Sequence, residues 1–484
     1  MEEMKRNKVL VKGSVLTGHT VVPTMPEELT DHRKRQRNMD GTVGLCMSLL
    51  HKVLHLIPGF PILGRSLEEM EETKRNKVLV KGSVLTRLTV VPTMPEELTD
   101  HRTRQRNMDG TVGSVNAGIG ASGLNRFLTT LNIPWLSKQT YKAREDEARD
   151  GILRVTSKTC RDAVRKEVED VMETESTESS GYKAKLNASF DAGWQKRGSG
   201  RAYNSLSGHS TLIGSKTGQV LDFAVRSKSC RVCDYAKGKE KRPRKHKCSQ
   251  TWTGSAKSME PSMGVELTKR LAGEVEIDSK GGNKPIEYTL NNIIMDGDTT
   301  TIFHIHENVS KEIGVWSDVG HAKKALYSHL LRLSSTHKSM SKTVIDYLVK
   351  CFGYVLTQNK GNSEGICKGC KVIPNHAFGD HSSCGTWCQY HKNPQAYQHQ
   401  SLPHGKDLEG DDLKADLIQV FDLFSSYSDK LAPLASTQNN ESFNNSVSVH
   451  APKRLHFSGS ASLEGRVAFA VATKNGGKSI VCKV

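Results

Sequence analysis

The chain has no apolar run long enough to cross a bilayer. Its most apolar stretch, Leu45 to Leu63, is interrupted by His51, Lys52, His55 and two prolines, whereas a spanning helix needs about 20 predominantly apolar residues. No basic-then-apolar leader opens the chain, so no export signal is expected. Negative charge is also scarce. The 52 acidic residues face 69 Lys plus Arg, which leaves a net charge of +17. A surface this short of carboxylates favours a polyanionic partner. Cysteine is too thin for a secreted disulfide scaffold, at 11 in 484 residues, and the number is odd. The cysteines fall mostly in short-range pairs with histidines between them, which reads as metal-binding thiolates in a reducing compartment. The length allows two to four domains and a large core.

The N-terminal part is a near-exact repeat. Residues 5–44 recur as 74–113, differing only at Gly18/Arg87, His19/Leu88 and Lys34/Thr103. Solenoid repeats diverge on their surfaces and usually number three or more. Two nearly identical copies read instead as a recent duplication of coding DNA or a gene-model artefact. Residues 1–113 are expected to form a poorly ordered arm with no catalytic role.

From residue 114 the texture changes. Leu124, Phe127, Leu128 and Leu131 share one helical face. Pro134 ends that helix, because proline disfavours helix at the residue before it. A longer helix is expected from Ser137 toward Met172, followed by a polar linker at 173–181. Then come three strands, at 186–191, 209–214 and 219–227, the last two joined by the turn signal SKTG. A fourth strand is expected at 287–298, then a helix from Thr300 to Ser310, a short strand near 314–318 and several amphipathic helices. This order is that of an α/β, ribonuclease-H-like fold, a mixed sheet with flanking helices.

Four carboxylates stand out on that frame. Asp191 ends the first expected strand, Asp296 and Asp298 end the fourth, and Glu441 opens a late helix that Asn439 or Asn440 is placed to cap. Two-metal phosphoryl transfer requires carboxylates from separate elements that converge on ions about 3.5–4 Å apart. Taken singly, a strand-end aspartate is an ordinary turn residue and a glutamate at a helix start ordinarily offsets the dipole.

Six blocks, DAGWQKRGSGRAYNSLSGH (191–209), TGQVLDFAVRSKSCRVC (217–233), MDGDTTT (295–301), WSDVGHAKKAL (316–326), HAFGDHSSCGTWC (376–388) and LAPLASTQNNESFNNSV (431–447), together resemble the Mutator-like DDE transposases of animals. AGIGASGLNRFLTTLNIP (117–134) resembles the region that precedes the catalytic core in that family. The resemblance covers residues 113–475 in the family's order. It implies a transposase that cleaves DNA and transfers strands with Mg²⁺ or Mn²⁺. The catalytic and metal-holding residues it implies are Asp191, Asp296 and Glu441, with Asp298, Asp318 and His321 in support. It also implies double-stranded DNA as partner, both the transposon's terminal inverted repeats and the target, and a homo-oligomer. The chain departs from the family in having Met295 before the second aspartate and Thr299 three after it, with every carboxylate kept.

Two cysteine clusters complete the reading. Cys230 and Cys233 are followed by Cys248, with His246 nearby. Between them runs KGKEKRPRKHK (237–247), seven of whose residues are Lys or Arg. This reads as a zinc knuckle presenting a basic loop to phosphates through Lys241, Arg242, Arg244, Lys245 and Lys247, or as a solvated loop with free thiols. The same run fits a nuclear localisation signal. The second cluster offers Cys367, Cys370, His376, His381, Cys384, Cys388 and His391. His381, Cys384 and Cys388 are the preferred zinc ligands, since they fall in a block that carries the resemblance.

The expected organisation is an arm over 1–113, a helical region over 114–180 and a catalytic domain over 181–475, with a Cys/His-rich helical insertion at about 340–425. Two other readings keep different chemistry in view: a catalytically inactive, transposase-derived DNA-binding protein, and a zinc-stabilised interaction module.

Overall fold

The computed structural model describes residues 96–175, 183–196, 204–279, 282–385 and 387–483. The expected weak order of the arm therefore lies outside the described residues up to 95. Its last part is helical: α1 spans Glu96–Asn116 and buries Val112 and Val115. The edge expected at residue 113 falls inside this helix.

Two more helices precede the sheet. α2 (Ala121–Thr130) buries Leu124, but Phe127 and Leu131 of its expected apolar face are exposed. α3 (Lys138–Glu175) is one continuous helix of 38 residues. The sheet then forms from β1 (Lys183–Trp194), β2 (Ser207–Gly214) and β3 (Val220–Ser227), which pair antiparallel in sequence. α4 (Arg231–Lys237) and α5 (Met259–Arg270) follow, then the antiparallel hairpin β4 (Ala272–Ser279) and β5 (Gly282–Met295). β5 returns parallel to β1, and β6 (Gly314–Ser317) lies parallel to the C-terminal end of β5, after α6 (Thr299–Asn308). The spatial order is β3-β2-β1-β5-β4. β4 takes the first half of the outer edge of β5 and β6 the last four residues. Sequence reasoning missed α5, β4 and the first five residues of β5, so the fourth strand is longer at its start and ends at Met295, before the aspartates.

Both faces of the sheet are covered, as a strand in the middle of an α/β layer requires. Ala184, Leu186, Ala188 and Phe190 alternate along β1 and pack on one face against Val164, Val168, Met259, Met263 and Ile305 from α3, α5 and α6. On the other face Ile213 and Val220 meet Phe443 and Val447 of α12 (Gln438–His450) and Val467 and Val471 of α13 (Ser462–Gly476). Every residue of β2 is buried.

Between β6 and α12 the chain builds a helical lobe with its own core. It comprises α7 (Val319–Leu333), α8 (Lys342–Gln358), α9 (Ser363–Ala377), α10 (Asp411–Ser425) and the short α11 (Ser428–Leu431). Leu326, Leu348, Phe352, Ile373, Leu417 and Phe421 fill that core. Cys370 is fully buried within it and belongs to neither Cys/His group whose ligand atoms come together.

A buried arginine ties the N- and C-terminal helices together. Arg466 of α13 donates to the carbonyls of His450 (2.6 Å) and Ile119 (2.8 Å) and to the Ser462 hydroxyl (3.2 Å). Its guanidinium lies 3.8 Å over the Phe457 ring. Its charge faces the largely buried Glu145, 3.8 Å away. Removing one partner of such a buried pair strands the other. Arg466→Ala is therefore expected to lower the unfolding free energy by about 3–5 kcal/mol, read by urea denaturation. A loss under about 1 kcal/mol, the size of an exposed ion pair, would contradict this packing role.

Candidate active site and metal centres

The acidic site is assembled from the parallel strands outward. β1 pairs with β5 up to Ser189 opposite Ile294. Two residues further on, Asp191 comes level with Asp296, the first residue beyond β5, and adjacent strands lie about 4.8 Å apart. Asp191 is not at the strand end: β1 continues to Trp194, and Asp191 pairs with Thr211 of β2.

α12 brings in the third carboxylate. It has no side-chain cap at Thr437, and neither Asn439 nor Asn440 serves as one. Asn440 is instead fully buried and donates to the carbonyls of Ser189 (3.2 Å) and Thr211 (3.1 Å). One turn on, Asn444 donates to Asp191 Oδ2 at 2.8 Å and accepts from His209 Nε2 at 3.0 Å. Burial holds the His209 imidazole neutral, with its pKa lowered to about 4. Gly193 permits this close approach, since a Cβ there would collide with the His209 ring and the Asn444 side chain. Glu441 sits between the two anchoring asparagines.

The supporting residues divide by role. Asp318 is the N-cap of α7, accepting from the backbone N–H and Nδ1 of His321. Its other oxygen accepts from the backbone N–H (2.7 Å) and hydroxyl (3.1 Å) of Thr437, the residue before α12. These hydrogen bonds hold its carboxyl below the usual range against burial, which pushes the other way. Asp298 is the N-cap of α6, accepting from Thr300 N, Thr301 N and the Thr301 hydroxyl. Its oxygens are thus engaged in holding the helix.

The acids repel one another. Burial pushes the Asp191 carboxyl up to about 6; Asp296 and Glu441 add to the rise, and the Ala192 N–H and His321 oppose it. A further acid, Glu260 in the first turn of α5, is pushed up to about 8 by burial and then by Asp296, Asp298 and Asp191. Sequence reasoning missed Glu260. Its signal was Ser258-Met259-Glu260-Pro261, an acid and a proline at a helix start. Several half-buried acids with one histidine among them form a site that a cation would relieve. They are not a single tight ligand set. Among the described residues, only the two Cys/His groups bring three or more ligand atoms within 4.8 Å of one another.

The first of these groups is Cys230, Cys233, His246 and Cys248. His246 Nε2 lies 3.2 and 3.5 Å from the sulfurs of Cys230 and Cys233, and Cys233 and Cys248 sulfurs are 3.6 Å apart. His246 Nδ1 donates to the Arg244 carbonyl at 2.7 Å, which leaves Nε2 as the lone-pair donor. The second is His376, His381, Cys384 and Cys388. Its sulfur–nitrogen separations run from 3.3 to 3.9 Å and its two Nδ1 atoms are 3.0 Å apart. Zinc bonds of about 2.3 Å to sulfur and about 2.0 Å to nitrogen give tetrahedral edges of about 3.6 Å between S and N and about 3.8 Å between two S. Both groups therefore fit a zinc ion. The expected sets each lacked one histidine, His246 and His376. Lys241, Arg242, Arg244, Lys245 and Lys247 of the first group's loop are all exposed.

The model of the Mutator-like transposase family matches residues 90–388, more than half of the chain, and the chain belongs to that family. Membership implies binding to DNA and nuclease or transposition chemistry in general. The match contains Asp191 and Asp296 and ends before Glu441. No curated protein and no solved structure matches the chain. Among the described residues no helix is long and apolar enough to cross a membrane.

Two zinc ions per chain are expected by atomic absorption. His376→Ala and His246→Ala should each lose one, and full occupancy in either variant would contradict the four-residue sets. Chelation should lower Tm by several degrees, because a structural site contributes its binding energy to folding.

Proposed function

We propose that the chain is a DDE transposase on a ribonuclease-H-like scaffold, cutting and joining DNA through Asp191, Asp296 and Glu441. The observation that carries this reading is the seating of α12 on β1 and β2. Asn440 and Asn444 fix that helix to the backbone and to Asp191 itself, so that both Glu441 and Asp296 act on the Asp191 carboxyl. The topology supports the scaffold. Three antiparallel strands, with β5 and β6 added parallel on the other side of β1 and β4 antiparallel on the outer edge of β5, leave Asp191, in β1, and Asp296, just beyond β5, on neighbouring parallel strands.

Asp191, Asp296 and Glu441 are the residues that would hold the divalent cations, Mg²⁺ or Mn²⁺, and Glu260 lies within the field of the two aspartates. Such ions supply Lewis-acid neutralisation of the attacking and leaving oxygens. The chain's own residues orient. Asn444 fixes the Asp191 oxygen, neutral His209 fixes Asn444, and Asp318 fixes the entry to α12. In the reaction water attacks phosphorus and the bond to the 3′ oxygen breaks, leaving a 5′-phosphate and a 3′-hydroxyl; that 3′-hydroxyl then attacks a target phosphodiester, forming the new P–O bond as the target's own P–O3′ bond breaks and its 3′ oxygen leaves as a hydroxyl. The substrates are duplex terminal repeats and target DNA, gathered by a homo-oligomer, and the basic run 237–247 serves nuclear entry.

The test is nicking of a supercoiled plasmid carrying the element's ends, with Mg²⁺ or Mn²⁺. Asp191→Asn, Asp296→Asn and Glu441→Gln should each lose more than about a thousandfold of the rate. Asp298→Asn, which only weakens a helix cap at about 1 kcal/mol, should lose less than about tenfold. Activity surviving Glu441→Gln, or an equal loss in Asp298→Asn, would overturn the assignment.

A further inference from the structure

Beside the basic loop lies a second, larger feature that the reading above does not use. A cleft of about 1190 Å³ opens between α2, the start of α3 and the segment 454–462. It is larger than the roughly 300–1,000 Å³ typical of small-molecule pockets. Arg126, Lys138, Lys142, Arg231, Arg454 and His456 line it, against two acids, Glu145 and Asp146. Both acids are engaged with Lys142, at 3.2 and 2.9 Å. Among the described residues, Arg126, Lys138, Arg231 and Arg454 have no carboxylate partner, and all four are exposed.

Two structural links make this cleft part of one surface. The first is Arg231, which also lines the adjoining hollow of the zinc-held loop with Tyr235, Lys239, Lys241, Arg242 and Arg244. Its backbone N–H donates to the Gly459 carbonyl at 2.9 Å, and its side chain packs against Gly459. The loop and the cleft wall are therefore fixed to each other. Tyr235 stands 71% exposed in the middle of these cations, with its ring open to solvent. The second link runs to the acidic site. Gln195 donates to the Lys453 carbonyl at 3.3 Å, and Gln195 lies four residues beyond Asp191 on the continuation of β1. A smaller hollow next to it is lined by Trp194, His209, Lys453, Leu455 and Phe457; the last two also line the large cleft, and His209 is the partner of Asn444.

We propose that the α2–α3 cleft is a DNA-backbone groove, continuous through Arg231 with the zinc-held loop, which leads duplex DNA past the 453–460 segment to Asp191. This deepens the transposase reading and rests on it. Unpaired exposed cations on a wall without free acids suit phosphates, whose neutralisation releases counterions. Exposed Tyr235 adds a stacking face for a base at a nicked or frayed end.

The experiment is fluorescence anisotropy of the full zinc-loaded chain with a labelled 30-base-pair duplex (a length chosen to exceed about two helical turns), from 50 to 300 mM KCl. Three variants are compared with the wild type: Arg126→Gln/Lys138→Gln/Arg454→Gln in the cleft, Lys241→Gln/Arg242→Gln/Arg244→Gln in the loop, and the charge-preserving Arg126→Lys/Lys138→Arg/Arg454→Lys. Zinc content and Tm, expected unchanged for these exposed positions, confirm folding. The cleft triple should weaken binding by about 10- to 100-fold and reduce the slope of log K against log salt by about 2–3. The charge-preserving triple should keep both, and the loop triple should add to the cleft triple. A cleft triple with wild-type affinity and slope, while the loop triple loses both, overturns the groove and leaves the transposase reading standing. A wild type that binds no DNA overturns both, and plasmid nicking by the wild type tells the two failures apart.

Discussion

The site depends on the contact of one helix with one pair of strands. α12 is held on β1 and β2 by two asparagines a single turn apart. Asn440 satisfies backbone carbonyls of both strands, and Asn444 bridges Asp191 and His209. A buried amide that loses such partners costs about 1–3 kcal/mol, so the helix has one depth and one rotation at which both are satisfied. Glu441 inherits its position from that constraint. The residues before the helix are held as well, because Asp318 grips Thr437 from the start of α7. The acid at the end of β6 and the acid in α12 are thus parts of one hydrogen-bonded frame.

Electrostatics and metal ligation divide the work. The acidic cluster is unfavourable by itself: burial and mutual repulsion raise Asp191 and Glu260 together. Such an arrangement is retained where a cation or a proton resolves it. The Cys/His groups are different. Their ligand atoms already stand at tetrahedral spacing, and one of them closes the 230–248 loop, which has little core of its own. The second anchors the 376–391 segment to the end of α9, where Cys388 and His376 are buried. A zinc ion held there would stiffen the helical lobe that precedes α12.

Much of this was legible in the sequence. The alternation of Leu186, Ala188 and Phe190 marks β1, SKTG marks the β2–β3 turn, and the spacing of Cys230 and Cys233 marks two ligands, whereas the same spacing at Cys367 and Cys370 does not. The misses have physical reasons. α5 has a mixed composition and a weak apolar stripe, so Glu260 went unread despite its helix-start signal. Asn440 reads as a capping residue in sequence and Asn444 carries no signal, because nothing local says that a strand lies beneath them. His246 and His376 were visible as neighbours, but only folding decides which histidine turns its nitrogen to the sulfurs. Phe127 and Leu131 had the periodicity of a core face and lie exposed, because the helix packs through Leu124 and leaves that flank uncovered.

The central claim is that Asp191, Asp296 and Glu441 share divalent cations, and anomalous diffraction from Mn²⁺-soaked crystals of the chain bound to DNA tests it most directly. The account predicts two peaks about 3.5–4 Å apart, one bridged by Asp191 and at least one touched by Glu441. Peaks confined to the Cys/His groups, or a single ion bound by the aspartates with Glu441 turned away, would contradict it.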